Sequence, residues 1–129
     1  MKSSHKIIIG IVVIGVIFGF FFRGNITGSS TSEASGEYDS FAKCLTDSGM
    51  KMYGAYWCPH CNDQKEMFGD SWKNINYIEC SLPGGNGQTQ ICIQEGIRAY
   101  PTWELPDGVR IEGGLSFSQL SEYSGCSLE

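Results

Sequence analysis

The residues best suited to chemistry are two cysteines three positions apart, in the segment Tyr56-Trp57-Cys58-Pro59-His60-Cys61. A proline sacrifices no hydrogen bond in the first turn of a helix, so Pro59 predicts a helix that begins here with Cys58 as its N-cap. Cys61 then lies one turn along on the same face, where its sulfur can form or open a disulfide with Cys58. The spacing therefore predicts a redox-active pair.

The same placement makes the two sulfurs unequal. The unpaired amides and the positive dipole at a helix N-terminus favour the thiolate form of Cys58, and a protonated His60 beside it would add to this effect. We therefore expect Cys58 to be the attacking sulfur and Cys61 the resolving one. Trp57, Pro59 and His60 are expected to form the immediate environment of the pair.

Paired cysteines also bind metals or haem, and these alternatives make different demands on a sequence. A structural zinc site needs further cysteines or histidines at ligand spacing, but the only histidine besides His60 is His5 near the N-terminus. Covalent haem attachment needs a histidine directly after the second cysteine, where Asn62 stands. A copper-delivery module that uses Cys58, Cys61 and a methionine stays open. The sequence favours redox catalysis and predicts neither a metal nor a cofactor.

Residues 1–23 differ in composition from the rest of the chain. Ile7–Phe22 is an uninterrupted apolar run, preceded by Lys2 and Lys6 and followed by Arg23. As a helix it would span about 24 Å, slightly less than the roughly 30 Å hydrocarbon layer of a membrane. We expect a retained signal anchor because no Ala-x-Ala cleavage site follows the run, and a cleaved signal peptide is the alternative. The basic excess before the run predicts a cytoplasmic N-terminus and an extracytoplasmic, periplasmic domain.

The exported part is predicted to be acidic and rich in cysteine. Without the three basic residues of the N-terminal segment, six basic residues face fourteen acidic ones, a net charge of about −8. Such a charge disfavours nucleic acids and anionic membrane surfaces as partners. Six cysteines in about 105 residues indicate a redox-active or disulfide-bonded domain.

The elements that would position the cysteines follow from periodicity and turn residues. Residues 24–36 are rich in glycine, serine and threonine and predict a flexible linker, which leaves residues 37–129 as the folded domain. The predicted helices are Tyr38–Ser48, Pro59–Phe68, Thr89–Glu95 and Ser116–Tyr123. The predicted strands are Lys51–Tyr56, Asn76–Glu79, Thr102–Leu105 and Val109–Glu112, of which the last two form a hairpin. This order predicts an α/β fold with a mixed four-stranded sheet flanked by helices, preceded by one transmembrane helix.

Two segments together make the chain resemble the thioredoxin superfamily. The first is Trp57-Cys58-Pro59-His60-Cys61, which lies between a predicted strand and a predicted helix. The second is the tripeptide Tyr100-Pro101-Thr102, about forty residues later. The resemblance implies a thioredoxin-like fold in which Pro101 is cis and packs against the cysteine pair. It also implies that the backbone of Tyr100 pairs with an extended substrate chain.

More narrowly, residues 41–125 are similar to the thioredoxin-like domains fused or paired to bacterial vitamin K epoxide reductase homologues. The matching stretches are Met52–Cys61, Glu79-Cys80, Ile97–Glu104 and Tyr123-Ser124-Gly125. This resemblance implies a quinone-reducing membrane partner, of the vitamin K epoxide reductase or Dsb type, that re-oxidises the cysteine pair. It also implies a structural disulfide between Cys80 and Cys92, which would contribute roughly 3 kcal/mol. A second redox pair is the alternative for these two cysteines.

Two positions bear on the direction of the reaction. Met52 stands where reducing thioredoxins carry a buried acid, and Pro59-His60 is the dipeptide of Dsb-type periplasmic oxidases. The resemblance therefore implies a membrane-anchored oxidase that donates disulfides to exported proteins, with a reductase or isomerase as the alternative. Cys44 and Cys126 stay open: a bond between them would tie the ends of the domain together, and intermolecular pairing or free thiols are the alternatives.

Overall fold

The computed structural model describes residues 36–128. The predicted anchor over residues 1–23 and all but the last residue of the predicted linker lie outside this range. Within the described part of the chain, no helix combines the length and the apolar character needed to cross a membrane.

Each predicted helix and strand is present, with ends that differ from the prediction by at most two residues. The helices are α1 (Asp39–Asp47), α2 (Pro59–Phe68), α3 (Gln90–Gln94) and α4 (Phe117–Ser124). The strands are β1 (Lys51–Gly54), β2 (Tyr77–Glu79), β3 (Thr102–Glu104) and β4 (Arg110–Glu112). Two short 3-10 helices, Gly69–Asn74 and Pro83–Gly85, were not predicted.

The four strands form one mixed sheet in the order β2-β1-β3-β4. Strand β1 pairs in parallel with β2, placing Met52 opposite Tyr77, and antiparallel with β3, placing Met52 opposite Trp103. Strands β3 and β4 pair antiparallel as the predicted hairpin. A mixed four-stranded sheet with flanking helices confirms this part of the predicted fold class and fits a thioredoxin-like α/β fold.

Two clusters of buried side chains hold the helices to the sheet. Because neighbouring side chains of a strand point to opposite faces, Met52 and Tyr53 of β1 enter different clusters. The larger cluster joins the central strands to α1, α2 and α4 and includes Met52, Trp103, Phe41, Phe68 and Leu120. The smaller cluster contains Tyr53, Cys80, Cys92 and Ile97.

Strand β1 ends at Gly54, two residues before the predicted end at Tyr56. The chain turns directly after it, because the amide of Cys58 donates a hydrogen bond to the carbonyl of Ala55 at 3.0 Å. The amide of Tyr56 donates to the Glu79 side chain and not to a neighbouring strand. This turn carries the chain from the end of the sheet into α2.

Candidate active site

Cys58 is the N-cap of α2, and Pro59 stands in the first turn of that helix. The amide of Cys61 donates a hydrogen bond to Cys58 Sγ at 3.4 Å. Amides in the first turn have no partner within the helix and lie at the positive end of its dipole, so they stabilise negative charge on this sulfur. The structure thus brings Cys58, Pro59 and Cys61 together at one helix end.

The two cysteines of the pair are free thiols that differ in burial. Cys58 keeps 5% of its surface exposed, whereas Cys61 has none. Burial raises the pKa of Cys61 to about 12, and a hydrogen bond with Cys58 acts in the same direction. Cys61 is therefore a protonated inner thiol at neutral pH, and Cys58 is the less buried residue of the pair.

The segment Tyr100-Pro101 lies directly beside Cys58. The Cys58 thiol donates to the carbonyl oxygen of Tyr100 at 3.6 Å, and the Tyr100–Pro101 peptide bond is cis. Pro101 is fully buried, and the Tyr100 ring meets the Trp57 ring edge-on with 6.0 Å between their centroids. Both residues that were expected to bind substrate therefore lie at the cysteine pair.

Trp57 connects the pair to the loop that follows β2. The residue is 52% exposed, and its Nε1 donates to Ser81 Oγ at 2.9 Å. A Cβ atom at Gly85 would lie 3.7 Å from atoms of both Trp57 and Tyr56, so the loop passes close to both rings. Leu82, in the same loop, is also an exposed apolar side chain, at 41%.

Glu79, which the sequence did not single out for a role, holds the approach to the pair in place. Its Oε1 accepts hydrogen bonds from the amides of Tyr56 at 3.2 Å and Ser81 at 2.9 Å. Its Oε2 accepts from the Tyr77 hydroxyl at 2.8 Å. One carboxylate therefore fixes both the residue before Trp57 and the residue that binds its indole. The available signal was an acid at the carboxyl end of a strand, where α/β folds place functional groups.

Gln64, a second residue that sequence reasoning missed, anchors α2 to its surroundings and is only 2% exposed. Its Oε1 accepts from Trp103 Nε1 at 3.2 Å and from the Leu115 amide at 2.8 Å. Its Nε2 donates to the Leu115 carbonyl at 3.0 Å. The cysteine-bearing helix is thereby bonded to β3 and to the segment before α4. The signal was a polar side chain one turn after Cys61, on the buried side of the helix.

His60 faces solvent. Its side chain is 79% exposed, and its Nδ1 lies 3.7 Å from the Asp63 carboxylate. Together with Met67 and Leu115 it lines a shallow groove of about 430 Å³ beside α2. Water therefore screens any charge that His60 carries more strongly than it screens a buried charge.

Comparison with known proteins adds an independent observation. No protein-family model matches the chain. The chain is similar to a named redox enzyme. It is 41% identical over 113 residues to the thiol-disulfide oxidoreductase LTO1 of Arabidopsis thaliana. The matched residues cover 84% of this chain, and the chain spans 29% of the length of that relative.

The remaining four cysteines form two disulfides. Cys44 of α1 is bonded to Cys126, which follows α4, with 5.9 Å between the Cα atoms. Cys80 and Cys92 are bonded across the loop beside Trp57, with 5.5 Å between the Cα atoms. The bond between Cys44 and Cys126 is the first of the alternatives that the sequence left open. In residues 36–128 no group of three or more histidines, cysteines or acids could hold a metal ion.

Proposed function

We propose that the chain is a protein thiol-disulfide oxidoreductase whose reacting pair is Cys58 and Cys61. The observation that carries this proposal is the inequality of two neighbouring free thiols. Cys58 is partly accessible at a helix N-terminus and beside the Tyr100 carbonyl, while Cys61 is fully buried one turn away. The similarity to a relative named as a thiol-disulfide oxidoreductase supports the same activity.

In the oxidising direction the reaction exchanges one disulfide for another. A substrate thiolate attacks Cys58 Sγ, the bond between Cys58 and Cys61 breaks, and its electron pair leaves on Cys61, which then takes a proton. A second substrate thiolate attacks the substrate sulfur of the mixed disulfide. The substrate leaves with a new disulfide, and the cysteine pair retains the two electrons as two thiols.

We propose that this oxidising direction is the physiological one. Met52 is fully buried and offers a thioether where reducing thioredoxins would have a proton-accepting acid. The raised pKa of Cys61 keeps this thiol protonated, so it is slow to displace a substrate from Cys58. The mixed disulfide then persists long enough for a second substrate thiol to resolve it. A reductase or isomerase would use the same pair in the other direction.

The proposed setting is the extracytoplasmic face of a membrane. The apolar run Ile7–Phe22 supports a single-pass anchor with a cytoplasmic N-terminus. A tether of this kind would keep the domain close to a quinone-reducing membrane enzyme, of the vitamin K epoxide reductase or Dsb type, that re-oxidises the pair. The exposed apolar side chains of Tyr56 and Trp57, which directly precede Cys58, and of Leu82 in the loop after β2 support the docking of exported protein substrates.

Trapping of the mixed disulfide tests the activity. In Cys61→Ser the Cys58 thiolate can attack a substrate disulfide, and no inner thiol can then displace the bound substrate. Mixed disulfides should therefore accumulate as complexes that a reducing agent releases. The double variant with serine at both positions is the matched control and should trap nothing. An equal yield from the two variants would contradict the proposed activity.

A redox titration tests the direction separately. A reduction potential near about −120 mV would agree with an oxidase, and a value near about −270 mV would contradict the oxidising direction while leaving the chemistry intact. Stoichiometric copper binding that is lost in Cys58→Ser, without any thiol exchange, would instead favour the copper-delivery alternative.

A further inference from the structure

Opening of the pair's disulfide leaves a negative charge in a buried position. The attacking thiolate bonds to Cys58, so the charge of the leaving sulfur falls on Cys61, which has no exposed surface. An isolated buried charge is costly unless a nearby group compensates it. Whichever residue balances this charge therefore affects how fast the disulfide opens.

Lys65 is a cation placed one helical turn beyond Cys61. Both residues belong to α2, and a spacing of four puts them on the same face. The Lys65 side chain is half-buried, and its Nζ lies 4.2 Å from the centroid of the Tyr77 ring and 5.9 Å from that of Trp72. An ammonium within about 6 Å of an aromatic face is attracted by the ring, so these contacts restrain Lys65.

The Tyr77 ring that holds Lys65 also faces Cys61. A Cβ atom at Gly54 would lie 2.9 Å from Tyr77 Cε2 and 3.0 Å from Cys61 Sγ, so ring and sulfur lie no farther apart than the sum of these distances. Because glycine has no side chain, Gly54 leaves room for the Tyr77 ring and the Cys61 sulfur. The Tyr77 hydroxyl donates to Glu79, which fixes the far end of the ring.

The charged and titratable groups around Cys61 come from two elements. Burial raises the pKa of Cys61, and hydrogen bonding with Cys58 raises it further. A hydrogen bond with the Ala55 backbone lowers it, and Lys65 of α2, the cation among these groups, lowers it by a smaller amount. On β2, burial and the hydrogen bond to Glu79 raise the pKa of Tyr77, so this phenol stays neutral. The Glu79 carboxylate accepts three hydrogen bonds, from the Tyr77 hydroxyl and from the amides of Tyr56 and Ser81.

We propose that Lys65 is a positioning residue that acts through Cys61. Its ammonium, held against the Tyr77 ring, stabilises the thiolate that Cys61 carries from the moment the disulfide opens until a proton arrives from water. This inference rests on the proposed function, since it needs the pair to undergo exchange. Lys65 would not replace the buried acid of reductants, whose position Met52 occupies: the acid accepts a proton, whereas the Lys65 cation stabilises the leaving sulfur.

The rate at which a small thiol opens the disulfide tests this role. The full chain, oxidised and solubilised in a mild detergent, is mixed with dithiothreitol, and the opening is followed by tryptophan fluorescence. Lys65→Met and Lys65→Gln should both react about threefold to tenfold more slowly, because a less stabilised thiolate is a poorer leaving group. Lys65→Arg should react at close to the wild-type rate. Lys73→Met removes the charge of an exposed lysine and should leave the rate unchanged.

Rescue of the opening rate by Lys65→Arg supplies a readout that a packing defect would not produce, because arginine keeps the positive charge that methionine and glutamine remove. Wild-type opening rates in both neutral variants, or equal slowing by Lys73→Met, would overturn the proposal. The proposed function fails separately, if the wild-type disulfide exchanges with dithiothreitol but with no protein thiol.

Discussion

The sulfur of Cys58 lies 3.6 Å from the carbonyl oxygen of Tyr100, 42 residues later in the chain. This contact joins the N-terminus of α2 to the loop that leads into β3. A substrate chain bonded through its sulfur to Cys58 would therefore run alongside the Tyr100 backbone. The reacting sulfur and the backbone proposed to bind substrate form one continuous site.

Selective alkylation is expected to distinguish the two thiols of the reduced pair. Burial raises the pKa of Cys61 to about 12, so this thiol remains protonated and unreactive from neutral pH well into the alkaline range. Cys58 has some exposed surface and lies at a helix N-terminus. Iodoacetamide should therefore modify Cys58 first, as peptide mass mapping would show. Modification of Cys61 first at neutral pH would contradict the assignment of the two roles.

Removal of the Glu79 carboxylate should loosen the approach to Cys58. In Glu79→Ala the Tyr77 hydroxyl and two backbone amides lose their acceptor, which should lower the free energy of unfolding by about 1–3 kcal/mol. Urea unfolding measures this loss, and exchange with a test peptide should slow in parallel. Glu122→Ala alters an exposed acid on α4 and is the matched control. Equal effects of the two substitutions on unfolding and on exchange would show that the Glu79 carboxylate does not hold the approach to Cys58 in place.

The ion pairs of Glu104 should make stability depend on pH. Lys51 Nζ lies 2.9 Å from its Oε1, and Arg110 Nε donates to its Oε2 at 2.7 Å. Burial alone would raise the pKa of Glu104, but the hydrogen bonds from Lys51 and Arg110 hold it below its ordinary value. A carboxylate with a lowered folded-state pKa contributes stability above its unfolded pKa of about 4.3, and this contribution is lost as the pH falls through the folded value.

The difference in unfolding free energy between the wild type and Glu104→Gln should therefore be largest near about pH 7 and shrink below about pH 4. Urea unfolding at a series of pH values measures it. Glu66→Gln, at an exposed position on α2, should show a small difference that varies little with pH. A Glu104→Gln difference that is the same at both ends of the range would rule out this linkage.

The two disulfides should stabilise the fold to different extents. They join residues 82 and 12 positions apart, so the chain-entropy model assigns about 4.5 kcal/mol to Cys44–Cys126 and about 3 kcal/mol to Cys80–Cys92. Replacing each pair by alanine and comparing urea unfolding under non-reducing conditions measures both. A greater loss from the shorter loop would contradict this order and would point to a larger role for the contacts of the Cys80–Cys92 loop.

Local features of the chain could be predicted from the sequence because neighbouring residues determine them. Pro59 marks the start of α2 through its fixed backbone angle and missing N–H, and the three-residue spacing places Cys61 beside Cys58. Ser116 caps α4 together with Gln119 in a capping box. The alternation of helices and strands was enough to predict a mixed four-stranded sheet.

Other features depend on contacts between elements that are distant in the chain. The Cys44–Cys126 bond needs the two Cα atoms within a few ångströms, which the packing of α1 against α4 decides. Strand β1 ends early because Glu79, from the next strand, takes the amide of Tyr56.

The charges around the buried Cys61 thiol could not be predicted from the sequence either. Lys65 lies over Tyr77 only because α2 packs beside β2. Sequence spacing therefore determined the redox pair, since a helical turn is a local structure. Only tertiary packing decided which groups surround the pair, because these contacts form when separate elements bury their surfaces together.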